Sequence, residues 1–400
     1  MAGAPRMSWL TLALMTTSSV ASLRAAPTMA VYGLACVFLY LVPAIVFLLP
    51  TALVSAELAS GWEGGVYRWV SEGLSKPLGF LAVWCQFAMT IFYYPSLLAY
   101  VAPTIAYVVN PSLASNVPYT AVVIMVLYWS GVWVSSLRNP AKEFPRSMFT
   151  ASTMVLLIFI LPALAISWVV PSSELSLTAG VMQAFDAFFQ YFHIGWLTPV
   201  IAVALVSASL GGMLTWLAGP SKGLLMISRQ EGHLPPFLQR LNKEGVQQNL
   251  LVTQGVVTTV IALAYALIPN ASSAYWIFSV ITTQVYLIVY LLMFVAAIRL
   301  RRTQPDHPRG YRAPALVTVC VTGFLASAAA MAIGFVPSSQ FGGGSVWAYV
   351  AIVGGGLVVL GLLIPYLFLR LRKPEWRSPE AQAELAAQEA EERGTEGGAA

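Results

Sequence analysis

Charge is what this chain of 400 residues has least of: only 9% is Asp, Glu, Lys or Arg. A soluble domain averages about 25%, so a water-facing surface is excluded over most of the length. Cysteine is scarce too. Cys36, Cys85 and Cys320 lie far apart in apolar runs, which excludes a disulfide framework and metal-ligand spacing and leaves buried free thiols. No Walker motif exists, and Gly342-Gly-Gly does not follow a strand and open a helix, so nothing supports a phosphate loop or an ATP-driven pump. No Ser/His/Asp set supports an enzyme, and no cofactor or metal is implied. Basic runs interleaved with aromatics are lacking, which argues against nucleic acid as a partner.

What is there is hydrophobic residue, 58% of the chain, with twelve Trp and seventeen Tyr suited to a bilayer interface. A bilayer core of roughly 30 Å needs about 20 apolar residues per helix. That measure predicts an all-α polytopic membrane protein with about ten transmembrane spans. They cover roughly residues 8–32, 35–58, 78–109, 119–137, 148–170, 195–218, 249–268, 274–298, 314–335 and 347–369. The first reads as an inserted span and not a cleaved signal peptide, because it runs into the second with hardly a polar gap. The basic residues cluster in alternate gaps, as the positive-inside rule requires of a chain crossing many times. That places both termini in the cytoplasm and the lipid bilayer of the cell membrane around the spans. It also gives a transmembrane domain over 1–371 and an acidic, Ala/Glu-rich cytoplasmic tail over 372–400. The tail reads as solvated.

Two features break the pattern. Arg24 is the one cation inside a span, where charge is costly and carries a functional hypothesis by default. Beside it, Arg24-Ala-Ala-Pro-Thr interrupts the apolar run, and a proline removes a backbone donor and frees a carbonyl. Irregular backbone at that depth belongs where it lines a cavity or is buried in protein. Farther on, Ser207-Ala-Ser-Leu-Gly-Gly reads as a close helix crossing. The stretch from Ala179 to Tyr191 reads as an amphipathic helix lying at the interface.

Several ordered motifs resemble the amino acid–polyamine–organocation (APC) superfamily, and within it the glutamate/GABA antiporters. They are Ala26-Pro-Thr, Ala56-Glu-Leu-Ala, Gly61-Trp-Glu-Gly-Gly-Val-Tyr-Arg-Trp-Val, Arg138-Asn-Pro-Ala-Lys-Glu-Phe-Pro, Glu174-Leu-Ser-Leu-Thr-Ala-Gly-Val-Met-Gln and Gly219-Pro-Ser-Lys-Gly. The resemblance implies an inverted-repeat fold with the substrate between two broken helices. Here that fold is incomplete. In the family the Asn-Pro step follows the sixth helix, whereas here it follows the fourth span at Leu137–Arg138. The fifth and sixth helices are apparently missing, which keeps the parity of the later loops and removes half of the implied site.

The candidate site residues come from both sources. Half-helix N–H groups suit a carboxylate, which points to Ala25, Ala26, Pro27 and Thr28. The alternative is a proline kink that only shapes packing. Arg24 is either a bidentate ligand for a second carboxylate or an arginine that snorkels or pairs inside the bundle. Tyr286 and Tyr290, spaced i and i+4, share a helix face. The resemblance places aromatics of this helix on the substrate path, where their π faces suit an ammonium. Interior packing is the alternative. Trp216 matches an aromatic near the family's inner gate, and Gly212 stands where glutamate/GABA members tend to carry an acid. Glu63 and Arg68 are candidates for a loop pair, with a solvated loop favoured. His193 reads as a surface residue, and His233 and His307 have no evident role.

The implied function is secondary amino acid transport by alternating access, as a glutamate/GABA-like antiporter with protons as a candidate co-substrate. A non-transporting remnant of such a permease is the alternative. No oligomeric state is implied.

Overall fold

The computed structural model describes residues 23–135, 160, 162–171, 174–265, 271–338, 345–383 and 385–387. No strand occurs among them. The chain enters through a 3-10 turn, Leu23–Ala25, and a five-residue helix α1 (Ala26–Ala30). A turn at Val31 and Tyr32 leads into α2 (Gly33–Gly61). Then come α3 (Gly65–Gly73), α4 (Lys76–Val109), α5 (Val117–Ser135), α6 (Gly180–Tyr191), α7 (Leu197–Glu231), α8 (Gln248–Tyr265), α9 (Ala271–Thr303), α10 (Leu316–Ile333) and α11 (Val346–Leu371). Six of these, α2, α4, α7, α9, α10 and α11, are long and apolar enough to cross a membrane. α5 and α8 are shorter apolar helices.

Most of the expected spans coincide with these helices to within a few residues. Of the span at 8–32, only residues from Leu23 onward fall among those described. Of that at 148–170, residue 160 and residues 162–169 are described and helical. The apparent junction at Leu137–Arg138 lies outside the described residues.

α7 departs most from expectation. It runs on through Pro220 to Glu231, where the sequence suggests a loop from residue 219. Proline removes one helix donor, but the helix has a buried face to hold it: Pro220, Ser221, Leu224, Leu225, Ile227 and Ser228 are all buried. The Ser221 hydroxyl donates to the Leu217 carbonyl and accepts from Gln247 Nε2 at 2.7 Å. The helix ends where Gly232 takes φ +74°, a left-handed cap that suits glycine.

α4 is the central post. Its most apolar stretch is 78% buried, against 17% for α2 and α7, whose outer faces suit lipid. Phe80, Tyr94 and Tyr100 are among its fully buried side chains, and α9 and α7 pack along it. Close approach of helices depends on glycine. A Cβ on Gly73 would stand 2.8 Å from Ala296 Cβ and 2.9 Å from its Cα. α3 therefore lies backbone to backbone against α9.

The expected amphipathic helix appears as α6. The tail differs from expectation, because its first part is docked. Ser378 N donates to Arg229 O at 2.8 Å, and Gln239 Nε2 donates to Trp376 O at 2.8 Å.

Candidate functional site

Near the middle of the long helices lies a cavity of about 620 Å³. It is bounded by the entry turn, α2, α4, α7, α9 and α10. α2 contributes through a local defect: after Pro43 the helix widens into a π-helical turn, Ala44–Leu48. Such turns re-aim side chains and recur at functional sites. Here the turn brings Val46 and Phe47 to the cavity wall.

Arg24 lines the cavity. Its Nη1 donates to Ser96 Oγ at 2.9 Å, and its guanidinium carbon stands 4.6 Å from the Tyr93 ring centroid. Its backbone carbonyl accepts from the Tyr275 hydroxyl at 3.1 Å. These contacts orient the side chain from α4 and fix the entry turn to α9. Arg24 is the only charged side chain lining the cavity among the described residues.

One side of the wall is a chain of rings. Tyr93 and Trp216 have centroids 5.7 Å apart, and Trp216 meets Tyr286 edge-on at 6.3 Å. Tyr286 and Tyr290 lie 4.9 Å apart at 71°, and Tyr290 meets Phe47 at 4.9 Å and 85°. These are the tilted and edge-to-face geometries that ring quadrupoles favour. The i, i+4 spacing of Tyr286 and Tyr290 does put both on one face, toward the cavity.

Arg24, Ala25, Trp216, Tyr286 and Tyr290 therefore share one cavity. Ala26, Pro27 and Thr28 are buried and do not line it. Pro27 packs toward α6 instead, within 2.9 Å of where a Cβ on Gly180 would stand. The physical reason is that residue Ala25 is already in helical conformation, so α1 continues the entry turn without opening its N–H groups to the cavity. Gly212 is half-buried one turn before Trp216 and is not a lining residue. Sequence reasoning missed Tyr93, Phe47, Thr282 and Thr283. Thr282 stands one helical turn before Tyr286, a signal that was available. Phe47 reaches the wall through the π turn, which no sequence signal marked.

At the helix end that carries the basic residues, Glu57 is 2% exposed and fully occupied. It accepts from Arg301 Nε at 2.8 Å and Nη2 at 2.5 Å, from Arg309 Nη1 at 2.8 Å and from Ala313 N at 2.8 Å. Arg309 also lies over the Trp62 ring, which stacks on His307 at 4.5 Å. This clasp joins α2, α9 and the 304–313 loop. The considered Glu63–Arg68 pair is not formed, because Arg68 is one turn from Glu72 and bonds it at 3.2 Å on the exposed surface. His193 is exposed. His233 is fully buried against Phe80, with centroids 4.2 Å apart. Burial pushes it down to about 4.

Comparison with known proteins agrees with this architecture. The chain matches the amino acid permease family over residues 7–139 and 129–358. It is 31% identical over 454 aligned positions to an uncharacterised transporter of Legionella pneumophila, covering 92% of this chain and 97% of that protein. It is 23% identical over 448 positions to a glutamate/gamma-aminobutyrate antiporter of Lactococcus lactis, covering 89% of each. An aspartate/glutamate permease of the same species is 25% identical over 338 positions, 76% of this chain and 68% of that protein. In the first alignment, 92% of 400 residues fills about 368 of the 454 positions, so about 86 positions face gaps in this chain. With helices of membrane-spanning length around a mid-span cavity and a family match over most of its length, the chain belongs to the amino acid permease family of the APC superfamily and is a multi-pass membrane transporter of amino acids.

Proposed function

We propose that this chain is a secondary amino acid antiporter that works by alternating access around the cavity at Arg24. The observation that carries the reading is one oriented guanidinium facing a wall of aromatic rings in mid-bundle. A guanidinium takes a carboxylate with two parallel hydrogen bonds. The faces of Tyr286 and Tyr290 suit an ammonium. A zwitterion is thus held at both ends without an acidic residue. Ala26, Pro27 and Thr28 act in this reading by packing α1 and setting the position of Arg24.

Exchange of one amino acid for another, with glutamate and GABA as the first pair to test, is supported by the names of the Lactococcus relatives. The chain sits in the plasma membrane with both termini cytoplasmic, a reading supported by the alternation of basic loops. Protons are the co-substrate to test first.

A second reading, a folded permease that cannot cycle, has its own support. The family match is in two stretches that meet at 129–139, and about 86 aligned positions face gaps. Both fit loss of a helix pair near Leu137–Arg138 and an incomplete inverted repeat.

Counterflow decides between them. Purified protein in liposomes loaded with unlabelled amino acid should accumulate labelled amino acid above empty liposomes, and Arg24→Ala should abolish it. No accumulation at any pH from 5 to 8, with a folded protein, favours the non-cycling reading.

A further inference from the structure

The composition of the cavity wall says more about the substrate than that it is an amino acid. Among the described residues, the wall holds one cation and no carboxylate. Its two threonine hydroxyls are committed: Thr282 Oγ1 donates to Phe278 O at 2.8 Å and Thr283 Oγ1 donates to Ser279 O at 2.9 Å. What remains is a ring surface from Tyr93, Trp216, Tyr286 and Tyr290, faced across the space by aliphatic groups such as Val42, Ala329 and Ile333.

The charge on this wall disfavours a dicarboxylate. One carboxylate can take the guanidinium of Arg24. A second, at the far end of a glutamate, would lie among rings, tyrosine hydroxyls and methyl groups with no cation among the described residues, and an ionised group desolvated without a charged partner is strongly penalised. The wall's chemistry points the same way. A large apolar or aromatic side chain gains ring and methyl contacts across the cavity that glutamate or GABA cannot make.

We infer that the cavity selects monocarboxylate amino acids with large apolar or aromatic side chains, the carboxylate at Arg24 and the side chain between Trp216 and the α10 wall. This rests on the substrate-site reading above and narrows it. Trp216 and Ala329 become specificity-determining residues, and Arg24 is common to every ligand.

The test separates selectivity from transport. Binding of tryptophan, phenylalanine, leucine, glutamate and GABA to the purified full chain is measured by calorimetry or by competition. Tryptophan and phenylalanine should bind at least tenfold more tightly than glutamate or GABA. Trp216→Ala should weaken tryptophan and phenylalanine at least tenfold while changing glutamate less than threefold. Ala329→Trp, which fills the opposing wall, should likewise reject the aromatic ligands first, and it keeps the test open if Trp216→Ala fails to fold. Glutamate binding as tightly as tryptophan, or equal losses for all ligands in both variants, overturns the inference and leaves amino acid transport intact. Selective binding with no counterflow of any labelled ligand upholds the inference and overturns antiport. Failure of all five ligands to bind overturns both.

Discussion

Replacing Glu57 by alanine tests the buried clasp most severely. The carboxylate is 2% exposed and takes four hydrogen bonds, three from the guanidinium groups of Arg301 and Arg309 and one from Ala313 N. The two cations respond differently to its loss. The Arg301 side chain is 28% exposed and can turn toward solvent, whereas that of Arg309 is fully buried and cannot without moving the 304–313 loop. Removing one partner of a buried pair costs about 3–5 kcal/mol because the other charge is left uncompensated. Most of that penalty should therefore come from Arg309. Denaturant unfolding of the detergent-purified protein should show Glu57→Ala destabilised by about 3–5 kcal/mol, with Arg309→Ala close to it and Arg301→Ala costing less. The double variant Glu57→Ala, Arg309→Ala should lose clearly less than the sum of the two singles, since the orphaned charge goes with its partner. A Glu57→Ala cost under about 0.5 kcal/mol, in the range of an exposed pair, or strict additivity in the cycle, would refute the reasoning.

Gly73→Ala should destabilise by about 1–3 kcal/mol through overpacking at the α3–α9 contact, with partial rescue by Ala296→Gly, read from the same unfolding curves. Gly323→Ala should be worse tolerated than a change at Gly355, because its Cβ would meet the buried Phe294 ring while Gly355 faces open space; thermal stability compares them. His233 gives a pH dependence. Its folded value of about 4 lies below the ordinary 6.5, so folding opposes protonation. That stability is fully present above about pH 6.5 and is lost as pH falls toward 4, by up to about 3 kcal/mol. Glu231 opposes the downward shift and Arg372, Arg377 and Lys76 add to it. His233→Phe should flatten the melting temperature between pH 7 and 4.5 relative to the wild type, and an unchanged slope would refute it.

Membrane class, the long helices and the amphipathic α6 were legible in the sequence because they rest on local, repeated signals. Twenty apolar residues in a row have few options in water or in lipid, and i, i+4 spacing puts Tyr286 and Tyr290 on one face wherever the helix packs. Arg24 stood out for the same reason, since one cation against an apolar background needs no alignment to be seen. The end of α7 was less legible. Gly219-Pro is a strong local stop, and it was overridden by a buried face that exists only once α4 is in place.

The rest of the site depended on distance in space. Tyr93 on α4, Trp216 on α7 and Phe47 on α2 are separated by many residues, and nothing in their local patterns says that they share a wall. The partners of Glu57 come from more than two hundred residues away, so a lone acid in the sequence became a saturated clasp in the fold. His233, one polar residue in a Pro-rich loop, became a buried neutral ring. Composition and periodicity determine which face of each helix must leave water, because that choice is made residue by residue. Which faces then meet, which cation is held against which ring and which glycine lets two backbones touch are decided by packing, where each contact requires both partners to be present.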